Sequence, residues 1–339
     1  MKAVGYYKNL AISDAKSLED LEVEVPEISA YDLLVEVKAI GVNPVDYKVR
    51  EHSAPLHNGP KILGFDASGV VVQVGDKVKN FKEGDEVYYA GEIHRQGSNS
   101  QFHSVDSRIV AHKPQTLDFK AAAALPLTTL TAYEVLFDRL DITKPLHEGK
   151  NALFITGGAG GVGSIAIQLA RQLTDLEVIA TASRPQSREW ALKMGAHHVI
   201  DHSKEFAPQL ESIGYAHPGF IFSTANSDGY IPQFVDVIYP QGRLAFIDDP
   251  KIFDVNPFKL KSISIHMESM FTRSMYQTID IGRQGDILKH VAELIDDKKV
   301  TPTLNHVLSP INAQNLREAH RLLETGRAIG KIVVEGFHE

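Results

Sequence analysis

Apolar positions along this chain follow two different rhythms. Up to about residue 120 they come in short stretches broken by glycine and charge: Leu33 to Ile40, Gly69 to Asp76, and Gly84 to Tyr89. Runs of this length bounded by glycine and acidic residues predict β-strands joined by tight turns. Gly75-Asp76 and Gly84-Asp85 suit such turns, because glycine tolerates positive φ and Asp can bond its own backbone. The first third therefore reads as a small, irregular, β-rich domain.

From Ala121 the rhythm changes. Ala121 to Ala124 enters a predicted helix running through Thr131 to Leu136, followed by a polar hinge from Asp141 to Lys150. Strands and helices then alternate. The predicted strands are Asn151–Thr156, Val178–Thr181, Val199–Ile200, Phe220–Phe222 and Arg243–Ile247; the helices between them are Ser164–Leu173, Glu205–Ile213 and Tyr230–Ile238. Alternation of this kind implies parallel βαβ units with right-handed crossovers. Ser262 to Met267 alternates strictly and closes the predicted sheet as a sixth strand. Beyond it, Asp286–Ile295 and Ala313–Thr325 read as amphipathic helices, and Lys331–Glu335 as a last strand after Gly330.

With 339 residues, 43% of them hydrophobic, the chain can bury at least one large core, and its length suggests two domains. The formal charge of -8 opposes a nucleic-acid surface, which needs clustered Lys and Arg. There is no cysteine, so disulfides, thiolate zinc sites and a Cys nucleophile are all excluded. The N-terminal stretch lacks an apolar core of signal-peptide length, and no later run is long enough for a membrane span. The expectation is a cytoplasmic protein acting on a neutral or mildly anionic small molecule.

Gly158, Gly160, Gly161, Val162 and Gly163 lie in a G-x-G-x-x-G string. Alone the string is weak, but here it follows an apolar strand and opens a helix. That context suits glycines that make the turn and let backbone N–H groups approach a pyrophosphate. About twenty positions on, an Asp or Glu usually bonds the ribose 2′-hydroxyl. This chain instead has Ser183 and Arg184, with Arg188 one turn further. A hydroxyl and two guanidiniums suit a 2′-phosphate, so NADPH is favoured over NADH. The alternative reading makes both arginines solvated helix-start residues.

Several separated segments now resemble the medium-chain dehydrogenase/reductase superfamily, and more narrowly its zinc-free quinone oxidoreductase branch, including the subgroup labelled zinc-type alcohol dehydrogenase-like. They are Gly41 to Asp46, Gly64 to Gly69, Leu125-Pro126 with Thr131 to Tyr133, the glycine loop, and Gly195 to Ile200. The resemblance implies an α/β fold: a GroES-like β-barrel domain over residues 1–120, a Rossmann doubly wound parallel sheet over 121–268, and a return to the first domain over 269–339. It implies a substrate cleft between the domains and a homodimer formed through the edge strand of the Rossmann sheet.

In zinc-dependent relatives the metal is held by a Cys where this chain has Asn43, and by a His-Glu pair where it has Phe65-Asp66. Among the 15 histidines only His94 and His103 lie together in a plausible loop, and neither sits in a metal motif. No metal site and no zinc are expected. Without a Lewis acid, quinones and α,β-unsaturated carbonyls are the expected hydride acceptors, since their developing charge spreads onto an oxygen that neutral donors stabilise.

The resemblance places Asn43 beside the nicotinamide and substrate, and makes Tyr47 a second catalytic candidate, although relatives carry their cleft tyrosine one position later, where this chain has Lys48. It places Thr128 near the nicotinamide or its ribose, Phe246-Ile247 along the nicotinamide, and Lys331 toward the 2′-phosphate. His202 is either an adenosine contact or a solvated strand-end histidine. Two rivals stay open: a conventional zinc alcohol dehydrogenase, and a non-catalytic NADPH sensor.

Overall fold

The computed structural model describes residues 1–55, 59–144, 146 and 151–337. Residues 56–58, and Pro145 with residues 147–150 of the expected hinge, lie outside the described residues. The chain divides into two compact units, Met1–Leu127 with Phe271–Glu339, and Thr128–Met270.

The second unit is built on a six-stranded sheet. Its strands lie in the spatial order His198–Ile200, Glu177–Thr181, Ala152–Ile155, Phe220–Ser223, Arg243–Phe246 and Ser264–Met267, every neighbouring pair parallel. The central strands are buried almost throughout, as a parallel sheet covered on both faces requires. Helix Gly161–Leu173 turns Ile165, Ile167, Leu169 and three small residues, Ser164, Ala166 and Ala170, into the interior. A cluster around Phe154, Phe206 and Phe234 packs the sheet, with Phe154 edge-on to Phe206 at 5.1 Å between ring centroids. From Ala152–Ile155 the chain winds outward to one side and then returns to the other side with Phe220–Ser223. Such a reversal of strand order opens a crevice at the carboxyl ends of the two strands.

Two expected elements differ. The single helix from Ala121 through Leu136 is broken into Phe119–Ala123 and Pro126–Tyr133, the latter running on as wider turns over Glu134–Arg139. Pro126 explains the break, since its ring disfavours helical backbone at Leu125 and it has no N–H to donate. The sixth strand starts at Ser264 rather than Ser262, because Ser262 has φ 52 and ends a preceding short helical turn, Asn256–Lys261.

The first unit holds a seven-stranded sheet and a three-stranded one. Its long strand Asp32–Val42 pairs antiparallel with Asp66–Val74, Phe102–Asp106 and Lys331–Glu335. Register decides what meets at one end of this sheet. Ile332 lies opposite Val42, and Gly41 opposite Asp66. Lys331 and Asp66, from two strands, and Asn43, just after a third, are thereby brought to one place. Among the described residues no helix is long and apolar enough to cross a membrane.

Candidate functional site

In the second unit the glycine loop connects Ala152–Ile155 to helix Gly161–Leu173, at the switch point of the sheet. Each glycine has its own reason. Gly157 has φ +67, a left-handed conformation, and donates its N–H to Thr181 Oγ1 at 3.0 Å. A Cβ on Gly158 would come within 2.6 Å of the Ala180 Cβ, and one on Gly163 within 2.4 Å of the Gly157 carbonyl oxygen. Those two hold strand, loop and helix together. Gly160 is different, because a Cβ there would meet only Gly157 O, at an ordinary 3.4 Å. Its backbone is also undemanding, with φ -74 and ψ 174. Nothing in the unit's own packing requires glycine at 160, so the open space is free for a ligand that approaches the backbone. Gly160 is the N-cap of the helix and supplies no capping side chain. The first-turn N–H groups, which lack intrahelical acceptors, therefore form a ready anion cradle.

The neighbouring strand ends are polar. Ser183 Oγ lies 3.3 Å from His202 Nε2, which joins the residues following Glu177–Thr181 and His198–Ile200. Arg184 is half-buried and caps helix Pro185–Lys193, its N–H donating to Ser187 Oγ at 3.2 Å. Arg188 is placed differently from a solvated helix-start residue. Its guanidinium donates to Val199 O at 2.8 Å and Ala182 O at 3.3 Å, clamping the two strand ends. Across the switch point, Thr224 N–H donates to Thr156 Oγ1 at 3.0 Å, and Ser227 N–H to Asp248 Oδ2 at 2.8 Å. Sequence reasoning missed this second polar edge, whose only signal was a Ser-Thr pair just after an apolar strand. Phe246 is buried and stacks on Phe253, while Ile247 is half-buried and Thr128 is buried.

In the first unit, Lys331 is 3% exposed. Its ammonium donates to Val42 O at 3.1 Å, to Asp66 Oδ2 at 2.9 Å, and to Asn43 Oδ1. An ammonium has three N–H donors, so all three are engaged. Asn43 returns the connection through Nδ2, which donates to Asp66 Oδ2 at 2.8 Å. Asp66 Oδ1 accepts the Leu127 N–H at 2.6 Å. Gly41 is what lets the carboxylate in, since a Cβ there would fall 2.9 Å from Asp66 Oδ2. Asn43 also begins helix Pro44–His52, its N–H donating to Asp46 Oδ2 at 2.8 Å, the backward half of a capping box. Burial pushes the Asp46 carboxyl up to about 7, against the pull of that N–H bond and of Lys331. Tyr47 is half-buried on the same helix.

The network corrects two expectations. Lys331 is not available to a 2′-phosphate, because its donors are already engaged below the surface. Asn43 is 1% exposed with both ends of its amide bonded, so it ties the network together and presents no open amide to a substrate.

An alcohol dehydrogenase GroES-like domain family matches residues 29–115, and a zinc-binding dehydrogenase family matches residues 194–334. A zinc-type alcohol dehydrogenase-like protein of Staphylococcus epidermidis is 38% identical over 98% of this chain and 99% of its own. This chain is a medium-chain dehydrogenase/reductase. Within that superfamily of oxidoreductases, the NADPH-dependent alkenal/one oxidoreductase of Arabidopsis thaliana is 31% identical over 97% of this chain and 78% of its own length. A solved structure from Rhizobium etli CFN 42, described as a zinc-dependent alcohol dehydrogenase protein, has a TM-score of 0.98 and 54% identity, covering 100% of this chain and 99% of that one.

Zinc recurs in these descriptions, yet the donors in this dehydrogenase/reductase do not fit it. Zinc needs three or four ligands converging on one point. Among the described residues no group of three or more His, Cys, Asp or Glu gathers in that way. Phe65 is buried against the Phe271 ring, 4.9 Å between centroids, and has no ligand atom to offer. Asp66 already faces a cation, the Lys331 ammonium. His103 is engaged at both nitrogens, by Tyr89 Oη at 3.1 Å and Gln96 O at 3.0 Å, and burial depresses its pKa to about 4. His94 is exposed.

Proposed function

We propose that this chain is an NADPH-dependent reductase that delivers hydride to a quinone or an α,β-unsaturated carbonyl without a catalytic metal. The observation that carries the cofactor reading is the strand end at Ser183. A hydroxyl paired with His202 stands beside the half-buried Arg184, at the position where a carboxylate would repel a 2′-phosphate. When bound, the reduced nicotinamide supplies the hydride. The chain's own groups supply the rest. Backbone N–H groups at the start of helix Gly161–Leu173 hold the pyrophosphate, and Ser183, Arg184 and His202 surround the adenosine phosphate. Arg188 keeps the two strand ends in place beneath them. Thr128, Phe246 and Ile247 lie toward the nicotinamide. Tyr47 Oη holds a proton for the enolate or hydroquinone oxygen that develops.

The acceptor class follows from the donor set. A plain ketone gains most from a Lewis acid, and the residues at 43, 65 and 66 do not hold one. Conjugated acceptors spread their own charge, and the relationship to the alkenal/one oxidoreductase agrees with that choice. The protein is further proposed to act as a cytoplasmic homodimer on small molecules. NADPH oxidation by the purified chain, followed with a panel of quinones and enones, is the deciding measurement. Turnover with panel members at a rate well above a simple ketone supports the reading. Tight NADPH binding with no turnover on any member replaces it with a cofactor sensor, and preference for NADH refutes the role of the Ser183 edge.

A further inference from the structure

The buried polar network of the first unit has the composition of a cation site. Its acceptors around Lys331 Nζ are a carboxylate, a side-chain amide oxygen and a backbone carbonyl. All are oxygens, the donor type that hard divalent ions prefer. The three come from the end of strand Asp32–Val42, the start of Asp66–Val74 and the residue after that first strand, so sheet register holds them whether or not the lysine is there. With the ammonium present, Asp66 is neutralised. Without it, the Asp66 carboxylate is left buried and unpaired by any cation in a three-oxygen pocket. A bound cation would balance it.

We propose that Lys331 is a built-in substitute for a metal ion: its ammonium fills a latent oxygen-donor cation site made by Val42, Asn43 and Asp66, and removing it converts the network into a site for a hard divalent cation. Native protein consequently needs no ion at this place and has no room for one.

Mn2+ is the probe, because its bound and free forms differ in electron paramagnetic resonance. Three full-length proteins are compared: native, Lys331→Ala, and Lys331→Ala with Asp66→Asn. Lys331→Ala is expected to bind about one Mn2+ per chain and to gain thermal stability on its addition, as linkage requires of a ligand that binds only the folded state. The native protein and the double variant are expected to do neither. Should Lys331→Ala fold poorly alone, recovery of its circular dichroism by Mn2+ reports the same site. Equal Mn2+ uptake by the double variant overturns the proposal. So does a Lys331→Ala protein in which Mn2+ produces no uptake, no stabilisation and no recovery of fold.

Discussion

Gly160 and Gly163 are three residues apart in one loop, yet the same substitution should fail for opposite reasons. An alanine methyl at 163 would sit 2.4 Å from Gly157 O and 2.7 Å from Gly158 Cα, both backbone atoms that cannot swing aside. Relief requires the loop to move off the helix, an overpacking cost of about 1 to 3 kcal/mol. At 160 the methyl meets nothing closer than 3.4 Å, and φ -74 with ψ 174 is comfortable for alanine. Replacing glycine at such a compatible position gains about 0.4 to 1 kcal/mol through the unfolded chain, which is roughly offset because alanine is a poorer N-cap than glycine. The methyl does, however, enter the open space that the pyrophosphate is proposed to occupy. A tenfold loss of affinity corresponds to about 1.4 kcal/mol, and a misplaced pyrophosphate should cost at least that. Urea unfolding of both variants, with NADPH titration by fluorescence, separates the effects. Gly160→Ala should unfold at close to the native urea concentration and bind NADPH at least about tenfold more weakly. Gly163→Ala should lose stability before any effect on binding is considered. The reasoning is refuted if Gly160→Ala binds NADPH like the native protein, or if the two variants are equally destabilised.

Asp46 is held neutral by burial up to about 7, above its ordinary 3.8, so the folded chain keeps a proton that the unfolded chain has lost; its contribution to stability falls as pH rises from about 4 to about 7 and is level above that. Asp46→Asn removes this slope, and urea titrations at both ends of the window should show the variant gaining on the native protein with rising pH, by a difference on the order of 4 kcal/mol. Ser183→Asp puts a carboxylate at the proposed ribose end of the site, and the ratio of turnover with NADPH to that with NADH should fall at least about tenfold. Arg188→Ala should destabilise by about 1 to 3 kcal/mol through the lost carbonyl bonds and leave that ratio unchanged, whereas Arg184→Ala should lower it; steady-state kinetics with both cofactors decides. Prolonged dialysis against a chelator should leave enone turnover within error of the untreated protein.

The second unit was legible because its fold writes itself locally. A parallel strand buried on both faces is a short apolar run, and a loop that must pass close to a neighbouring strand is a string of glycines. Helix Pro44–His52 was not legible: its nine residues are mostly polar, and its hydrophobic face is too short to show a period. The Asn43-x-x-Asp46 spacing was the one signal that marked its start. Lys331 was misread because nothing near it in the sequence refers to Asp66, 265 residues away. Only the pairing of two strands with a third carries that information, and register across a sheet has no local signature. Arg188 shows the converse limit. Its place one turn past Arg184 was evident from spacing, but a guanidinium that faces backbone carbonyls and one that faces a phosphate look alike in sequence.

The same separation sets a timetable. At the usual 5 to 20 residues per second of synthesis, roughly 13 to 53 s pass between the appearance of Asp66 and that of Lys331. For that interval the carboxylate has no cation, and closing the sheet around it would strand a charge away from water. That end of the first unit therefore has to stay wet while the contiguous stretch Thr128–Met270 emerges and folds. The strand that brings the ammonium is the one that lets that end of the interior close with its charge neutralised.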